Sequence, residues 1–223
     1  MELWELLSVR PGVTALVGGG GKTTAMYTLA RELAMQGTVA CTTTTHILPP
    51  SHMPVLDCAD RGAVSAALAA HGCICLGALS PEGKLTAPAM PVEAFAPLAD
   101  YVLVEADGSK RLPVKAHLPH EPVIPACAGS TIVLAGASGF GRPIREAVHR
   151  WERFCRLAGA SPEMPVTAEN LAAVLAAEGL GDAYFINQAE TLSAMAEARR
   201  LAKLLLRPVF AGSLRGGIWE CLS

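Results

Sequence analysis

The chain has 223 residues and a formal net charge of −2, and its 51% apolar and 17% charged residues suit one large domain over residues 1–223 and exclude a disordered chain. The basic residues are scattered, so the charge pattern does not favour nucleic acid as a partner. Acidic residues near the start, apolar runs well short of ~18 residues and seven irregularly spaced cysteines favour a reduced, cytoplasmic protein without a membrane span.

Apolar runs alternate with helical patterns along the whole chain. The predicted strands, in chain order, are 13–17, 38–42, 73–76, 84–87, 101–105, 131–135, 183–187 and 208–211. The predicted helices are 22–36, 60–70, 91–98, 144–158, 168–178 and 192–205, and the proline-rich stretch 113–125 is predicted to be an ordered loop. This alternation predicts an α/β fold with a mostly parallel sheet flanked by helices. Such sheets bind ligands at the carboxyl ends of their strands, so polar residues that follow strands are the first site candidates.

A glycine-rich loop, LVGGGGKTT, joins the first predicted strand to the first predicted helix. Glycines let several backbone N–H groups turn toward phosphate oxygens, and the helix N-terminus adds partial positive charge. Lys22 would reach the terminal phosphates, Thr23 would ligate Mg²⁺, and Thr24 would add a donor. The predicted phosphate-binding residues are Gly18, Gly19, Gly20, Gly21, Lys22, Thr23 and Thr24. The spacing is the short form Gly-x-x-Gly-Lys-Thr-Thr, and the alternative is a glycine-rich turn with a solvated lysine.

Two further strands end in polar residues. In the run YVLVEADGSK, Asp107 is predicted to contact Mg²⁺, and Glu105 is predicted to position a water or act as a general base. Lys110 is predicted to be a second catalytic cation, in addition to Lys22. The alternative is a plain Asp-Gly turn, which explains neither Glu105 nor Lys110. In CTTTTHI, Thr45 would complete the Mg²⁺ shell or sense the terminal phosphate, or these threonines only reflect strand propensity.

The run YFINQAET places Asn187 and Glu190 after a buried strand. This is similar to the Asn-Lys-x-Asp motif with which G proteins recognise guanine, with Gln188 in place of the lysine and Glu190 in place of the aspartate. Gly212 and Ser213 end the last predicted strand, where such proteins hold the base. These four residues are predicted to contact the base of GTP or ATP, and the alternative for the first two is an ordinary strand-to-helix turn.

Four stretches in this order, LVGGGGKTT, VEADGSKRLPVKAHLPHEPVIP, VHRWERF and FINQAE, resemble the YqeC family. That family is described as an accessory or cofactor-biosynthesis factor for selenium-dependent molybdenum hydroxylases. The resemblance implies a three-layer P-loop NTPase that uses Mg²⁺ and a nucleoside triphosphate. It also implies a molybdenum hydroxylase or a cofactor-maturation protein as partner.

The same resemblance marks Lys115, His117, His120 and Glu121 as substrate-site candidates, in the stretch KAHLPHEP. The two histidines would ligate a metal or bind an anion such as a selenium oxyanion, or they lie solvated on a surface loop. Arg150 of VHRWERF would reach phosphate, or it belongs to the polar face of a helix.

These features predict a Mg²⁺-dependent accessory protein that binds GTP or ATP and hydrolyses it, or transfers part of it, during cofactor maturation. One alternative is a small-molecule kinase or nucleotidyl transferase on the same fold. Another is a nucleotide-gated chaperone that delivers a cofactor with little turnover of its own.

Overall fold

Fully buried apolar runs form most of the long strands, as a parallel sheet covered on both faces requires. The computed structural model describes residues 1–57 and 60–223. These residues form two compact units. The first consists of Met1–Leu16, Thr23–Asp107 and Val123–Ser130, and the second of Val17–Lys22, Gly108–Pro122 and Thr131–Ser223.

The elements up to residue 107 build the first unit, except that the last two residues of β1 and the first residue of α2 belong to the second unit. The helices are α1 (Leu3–Leu6), α2 (Lys22–Leu33), α3 (Arg61–His71) and α4 (Val92–Phe95). The strands are β1 (Gly12–Gly18), β2 (Val39–Thr43), β3 (Val55–Leu56), β4 (Cys73–Leu76), β5 (Ala78–Leu79), β6 (Leu85–Thr86) and β7 (Tyr101–Glu105). Strands β1, β7, β2, β4 and β3 lie side by side in that order and pair in parallel, whereas β5 and β6 form a separate antiparallel ribbon.

The later elements build the second unit, except that the first three residues of β9 belong to the first unit. The strands are β8 (Val114–Lys115), β9 (Ala128–Gly136), β10 (Val148–His149), β11 (Ala183–Asn187), β12 (Val209–Ser213) and β13 (Ile218–Cys221). The helices are α5 (Ile144–Ala147), α6 (Trp151–Ala158), α7 (Ala168–Glu178) and α8 (Leu192–Ala202). Strands β9, β11 and β12 pair in parallel, and β13 adds an antiparallel edge. Strands β8 and β10 form a second, short parallel pair.

The predicted α/β fold with a mostly parallel sheet flanked by helices is confirmed. Helix α3 packs against β4 and helix α8 against β12. The helices begin where the sequence supplies caps: the Asp60 carboxylate accepts from the Ala63 amide at 2.6 Å, and the Thr191 hydroxyl from the Ala194 amide at 3.1 Å. The arrangement is consistent with the three-layer fold of P-loop NTPases.

The predicted helix over 144–158 is wrong. Helix α5 stops at Ala147, residues Val148–His149 form β10, and α6 starts only after Arg150, whose φ of +66° breaks the helical path. The cause is tertiary, because β10 pairs with β8 and the carbonyl of His149 accepts from the Ala116 amide at 3.0 Å. The same pairing gives the proline-rich stretch a strand that the sequence did not predict.

Four further short elements, α1, β3, β5 and β13, were also not predicted, and α2 and α8 end three residues earlier than expected. The cysteines at 41, 73, 75, 127, 155 and 221 are free thiols, and Cys58 lies outside the described residues. No helix within residues 1–57 and 60–223 is long and apolar enough to cross a membrane.

Candidate functional site

The glycine-rich loop lies tightly against the backbone of its own unit. The Gly19 amide donates to the carbonyl of Leu134 at 2.9 Å. Gly18 and Gly20 have φ values of +96° and +72°, and a Cβ on either would collide with neighbouring backbone. The glycines are therefore needed for close packing as well as for their conformation, a reason that the sequence alone did not reveal.

Lys22 starts helix α2 and is buried. Its ammonium donates to the carbonyl oxygen of Gly18 at 2.6 Å, so the side chain folds back over the loop. A lysine in this position stays at the glycine-rich loop instead of extending into solvent, and the alternative of a solvated lysine is excluded.

Thr23 is held by a carboxylate in the first unit. Its hydroxyl donates to Oε2 of Glu105, the last residue of β7, at 2.7 Å. The Glu105 carbonyl in turn accepts from the Thr43 hydroxyl at 2.9 Å and from the Thr44 amide at 3.1 Å. These contacts hold Glu105 beside the Thr23 hydroxyl, and the role of that hydroxyl as a Mg²⁺ ligand stays a prediction.

The remaining candidates near this strand differ in their surroundings. Asp107 is buried two residues beyond Glu105, and Thr45 is half-buried with its amide donating to the Thr43 hydroxyl at 3.0 Å. Thr24 and Lys110 are exposed, and Lys110 lies in a turn with a φ of +50°. Their roles stay predictions.

Asn187 connects the loop to the end of the sheet. Its Nδ2 donates to the carbonyl of Gly20 at 2.7 Å, and its Oδ1 accepts from the Leu214 amide at 3.0 Å. Glu190 is exposed. Gly212 and Ser213 belong to β12 and pair with β13, so both have structural contacts. Contact of these residues with a base stays a prediction.

Lys115, Glu121 and Arg150 form one ion-pair cluster in the second unit. The Lys115 ammonium contacts Oε2 of Glu121 at 2.7 Å and the Gly108 carbonyl at 2.8 Å. Nε of Arg150 contacts Oε1 of Glu121 at 2.9 Å. Although burial would raise it, these two cations hold the pKa of Glu121 below its usual value.

His117 and His120, three residues apart, have different environments. His117 is buried; its backbone amide donates to Oε1 of Glu178 at 2.6 Å, and its Nδ1 lies 2.7 Å from Oε2 of the same residue. His120 is exposed. No group of three or more His, Cys, Asp and Glu side chains among the described residues has the geometry of a metal site.

Comparison with known proteins places the chain in a family. Residues 14–152 match the family described as "YqeC protein". The chain belongs to the YqeC family. One relative, "Uncharacterized protein YqeC" of Escherichia coli strain K12, is 36% identical over 174 residues, which is 74% of this chain and 68% of the relative. No solved structure matches. The predicted family membership is confirmed.

The YqeC match over 14–152 contains the glycine-rich loop, Glu105 and Asp107, the Lys115–Glu121 stretch and Arg150. Asn187, which binds the loop, lies beyond it, as does Glu178, which holds His117. Glu178 ends helix α7, 61 positions from His117, and no local sequence signal connects the two residues.

Proposed function

We propose that this YqeC family member binds a nucleoside triphosphate, GTP or ATP, together with Mg²⁺ along the segment Gly18–Thr24. The proposal is carried by the strand–glycine loop–helix arrangement in which Lys22 folds back onto the Gly18 carbonyl at 2.6 Å. A loop of glycine amides, a retained ammonium and a helix N-terminus is the set of groups that binds a triphosphate.

The donor set at Thr23 suits Mg²⁺, because a hydroxyl and a carboxylate 2.7 Å apart provide the oxygen ligands that this hard cation prefers. Thr23 would hold the ion, with Glu105 next to it, and Asp107 and Thr45 are further candidates. Mg²⁺ bound there would neutralise phosphate charge. Lys22 would stabilise charge on the terminal phosphates, and Glu105 would orient an attacking water.

The choice between GTP and ATP depends on the segment after β11. Both side-chain heteroatoms of Asn187 are engaged within the protein, so we assign Asn187 to positioning the loop. Recognition of guanine would then rest on Glu190, an exposed carboxylate that can accept from the N–H groups of the guanine edge.

For the cellular role we propose maturation of a selenium- or molybdenum-dependent hydroxylase or of its cofactor, coupled to nucleotide turnover. This part is supported by the resemblance of the four sequence stretches and by the family match. A small-molecule kinase or nucleotidyl transferase is the second candidate, because the cationic cluster of Lys115 and Arg150 would suit a second, anionic substrate.

The first experiment is a titration of the purified protein with Mg²⁺ and GTP, and separately with Mg²⁺ and ATP. We expect micromolar binding of one or both, and loss of about tenfold or more in affinity in Lys22→Ala and Lys22→Gln. Lys203→Ala, an exposed lysine after α8, is the matched control and should bind normally. Absence of binding by the unaltered protein, or normal binding by folded Lys22 variants, would refute the proposal.

Product analysis then separates the alternatives. Release of inorganic phosphate alone indicates hydrolysis, and transfer to an added metabolite indicates a kinase or transferase. Binding with very slow turnover that a hydroxylase partner accelerates indicates a nucleotide-gated chaperone.

A further inference from the structure

We propose that the ends of β8 and β10 and the start of α6 form a binding site for a small oxyanion, held by Lys115 and Arg150 in the place of the Glu121 carboxylate. The anion would be a carboxylate or a tetrahedral ion of the phosphate type. The role of this anion as a second substrate rests on the proposed nucleotide function. The binding of the anion is independent of that function.

Lys115 and Arg150 already bind one carboxylate, that of Glu121 in the same chain. The two oxygens of the Glu121 carboxylate lie on different cations, Lys115 at 2.7 Å and Arg150 at 2.9 Å. One carboxylate therefore bridges a buried lysine and a partly exposed arginine. The Lys115 side chain is 0% exposed, whereas that of Arg150 is 38% exposed, so an external anion would enter from the arginine. Arg150 contacts Glu121 through Nε, which is one of the five N–H donors of a guanidinium, so the group has further donors to offer an anion.

The surrounding groups add to the positive field. His149 lies opposite Lys115 in the β8–β10 pair. Burial lowers the pKa of His149, and the nearby charges of Lys115 and Arg150 lower it further, with Glu121 acting against them. Lys110 contributes in the same direction. The positive charges of Lys115, Arg150 and Lys110 that act on His149 would also attract an anion.

The backbone brings the ends of β8 and β10 and the start of α6 close to these cations. Strands β8 and β10 are parallel and end at Lys115 and His149, so the residues that follow both strands leave from the same end of the pair. Arg150 follows β10 directly with a left-handed φ of +66°, and α6 starts immediately after it. Arg150 is the residue that precedes the first turn of α6, so the partial positive charge of this helix end lies next to the cluster.

The cluster is also close in sequence to a segment that touches the glycine-rich loop of the same unit. The Gly20 amide donates to the Leu112 carbonyl at 3.3 Å, and the Gly136 amide to the Pro113 carbonyl at 2.7 Å. Lys115 is two residues beyond Pro113, about 7 Å of extended chain. With a triphosphate on the loop, an oxygen of the bound anion would form a new bond to phosphorus while the bond to the leaving nucleotide oxygen breaks. That oxygen keeps the electron pair, and no redox partner is needed.

The test uses inorganic phosphate as the probe and the full-length protein. Phosphate is titrated calorimetrically. The protein is first saturated with Mg²⁺ and a non-hydrolysable triphosphate analogue, and the Lys22→Ala variant is titrated in parallel. We expect binding in both. Arg150→Gly, which retains the left-handed backbone, should weaken it about tenfold or more, whereas Arg145→Ala, which removes an exposed arginine paired with Glu163, should not.

Glu121→Gln provides the sharper test. It removes the competing negative charge while retaining hydrogen-bonding groups, so phosphate affinity should rise about tenfold, a result that a purely structural role of Glu121 would not produce. Absence of phosphate binding, or equal binding by folded Arg150→Gly and unaltered protein, would overturn the proposal. Phosphate binding that disappears in Lys22→Ala would place the anion on the glycine-rich loop and would also overturn it. Arg150-dependent phosphate binding without nucleotide affinity would refute the proposed nucleotide function and leave this site standing.

Discussion

Asn187 holds the glycine-rich loop from a position 167 residues away in the sequence, with its Nδ2 2.7 Å from the carbonyl oxygen of Gly20. The other end of the same amide accepts from the backbone of Leu214 at 3.0 Å. Asn187 is the buried last residue of β11, so the conformation of the loop depends on the end of a strand that the loop does not adjoin in sequence. A change at Asn187 should therefore affect any ligand of the loop without direct contact.

The first prediction concerns Asn187→Ala. The variant leaves the Gly20 carbonyl and the Leu214 amide without their buried partner, and we expect the free energy of unfolding to fall by about 2–4 kcal/mol. Affinity for Mg²⁺–GTP and Mg²⁺–ATP should fall by the same factor, about tenfold or more, because the loop and not the base is disturbed. Chemical denaturation and nucleotide titration measure the two effects.

Asn170→Ala is the matched control for this prediction. Asn170 also lies in the second unit, where it accepts from the Thr167 amide at 2.9 Å and donates to the Pro165 carbonyl at 2.9 Å. Its loss should lower stability comparably and leave nucleotide affinity unchanged. A selective loss of GTP binding in Asn187→Ala would show instead that this residue reads the base.

The second prediction compares two glycines with similar backbone conformations. Gly20 has a φ of +72° and a neighbouring backbone nitrogen, Gly136 N, where a Cβ would lie, whereas Gly141 has a φ of +78° and nothing within 4 Å. Gly141→Ala should cost about 1 kcal/mol of stability, the cost of the left-handed conformation alone. Gly20→Ala should cost about 3 kcal/mol or more, because the loop must also move. Equal losses, measured by denaturant unfolding, would show that the packing of the loop is not tight.

The sequence predicts best those elements whose formation depends on burial on both faces. Residues Tyr101–Glu105 and Ala183–Asn187 form strands with the predicted bounds, because a continuous apolar run of this length is stable only inside a covered sheet. The polar residues at their ends, Glu105 and Asn187, are where the topology of a parallel sheet requires them. This much follows from local pattern and from general topology.

Contacts between distant segments are what the sequence could not predict. A helical pattern over 144–158 is interrupted because Val148 and His149 pair with β8, and no residue within the pattern signals that pairing. The carboxylate bound to Thr23 is Glu105, whereas the sequence predicted Asp107 as the Mg²⁺ contact and Glu105 as a water-positioning group or general base. Strand alternation places residues two apart on the same face, so the pattern does not decide between them; β7 ends at Glu105, and the path of the chain beyond it is not encoded in the local pattern.

The third prediction separates these two carboxylates. Glu105→Gln retains an oxygen that can accept from the Thr23 hydroxyl but removes the negative charge, so the fold should be kept within about 1 kcal/mol. The increase in nucleotide affinity that Mg²⁺ produces should shrink about tenfold or more. Asp107→Asn should retain that increase if Glu105 is the carboxylate beside the ion. Nucleotide titrations in the presence of Mg²⁺ and of EDTA measure the increase in affinity that the ion produces. If Asp107→Asn loses this increase and Glu105→Gln retains it, the ion is assigned to Asp107.

The fourth prediction concerns the pH dependence of stability. Glu32, near the end of α2, is buried and accepts from the Trp4 amide at 3.0 Å, which ties α1 to the first unit. Burial raises the pKa of Glu32 from 4.5 to about 7, the Trp4 hydrogen bond acts against this rise, and the neighbouring Glu2 adds to it. The folded protein therefore binds more protons than the unfolded chain between these two values. Stability should fall as the pH rises from 4.5 to about 7, by about 1–2 kcal/mol from this residue.

Glu32→Gln removes the titration while retaining an acceptor for the Trp4 amide. The variant should show a flatter pH profile over that range and equal or greater stability at pH 8, measured by denaturant unfolding. Glu169→Gln is a suitable control, because Glu169 is a carboxylate on the exposed surface of α7 that pairs with Arg200. An unaltered slope in Glu32→Gln would show that this carboxylate is ionised in the folded protein at neutral pH, with the Trp4 amide and the solvent that reaches it outweighing the cost of burial.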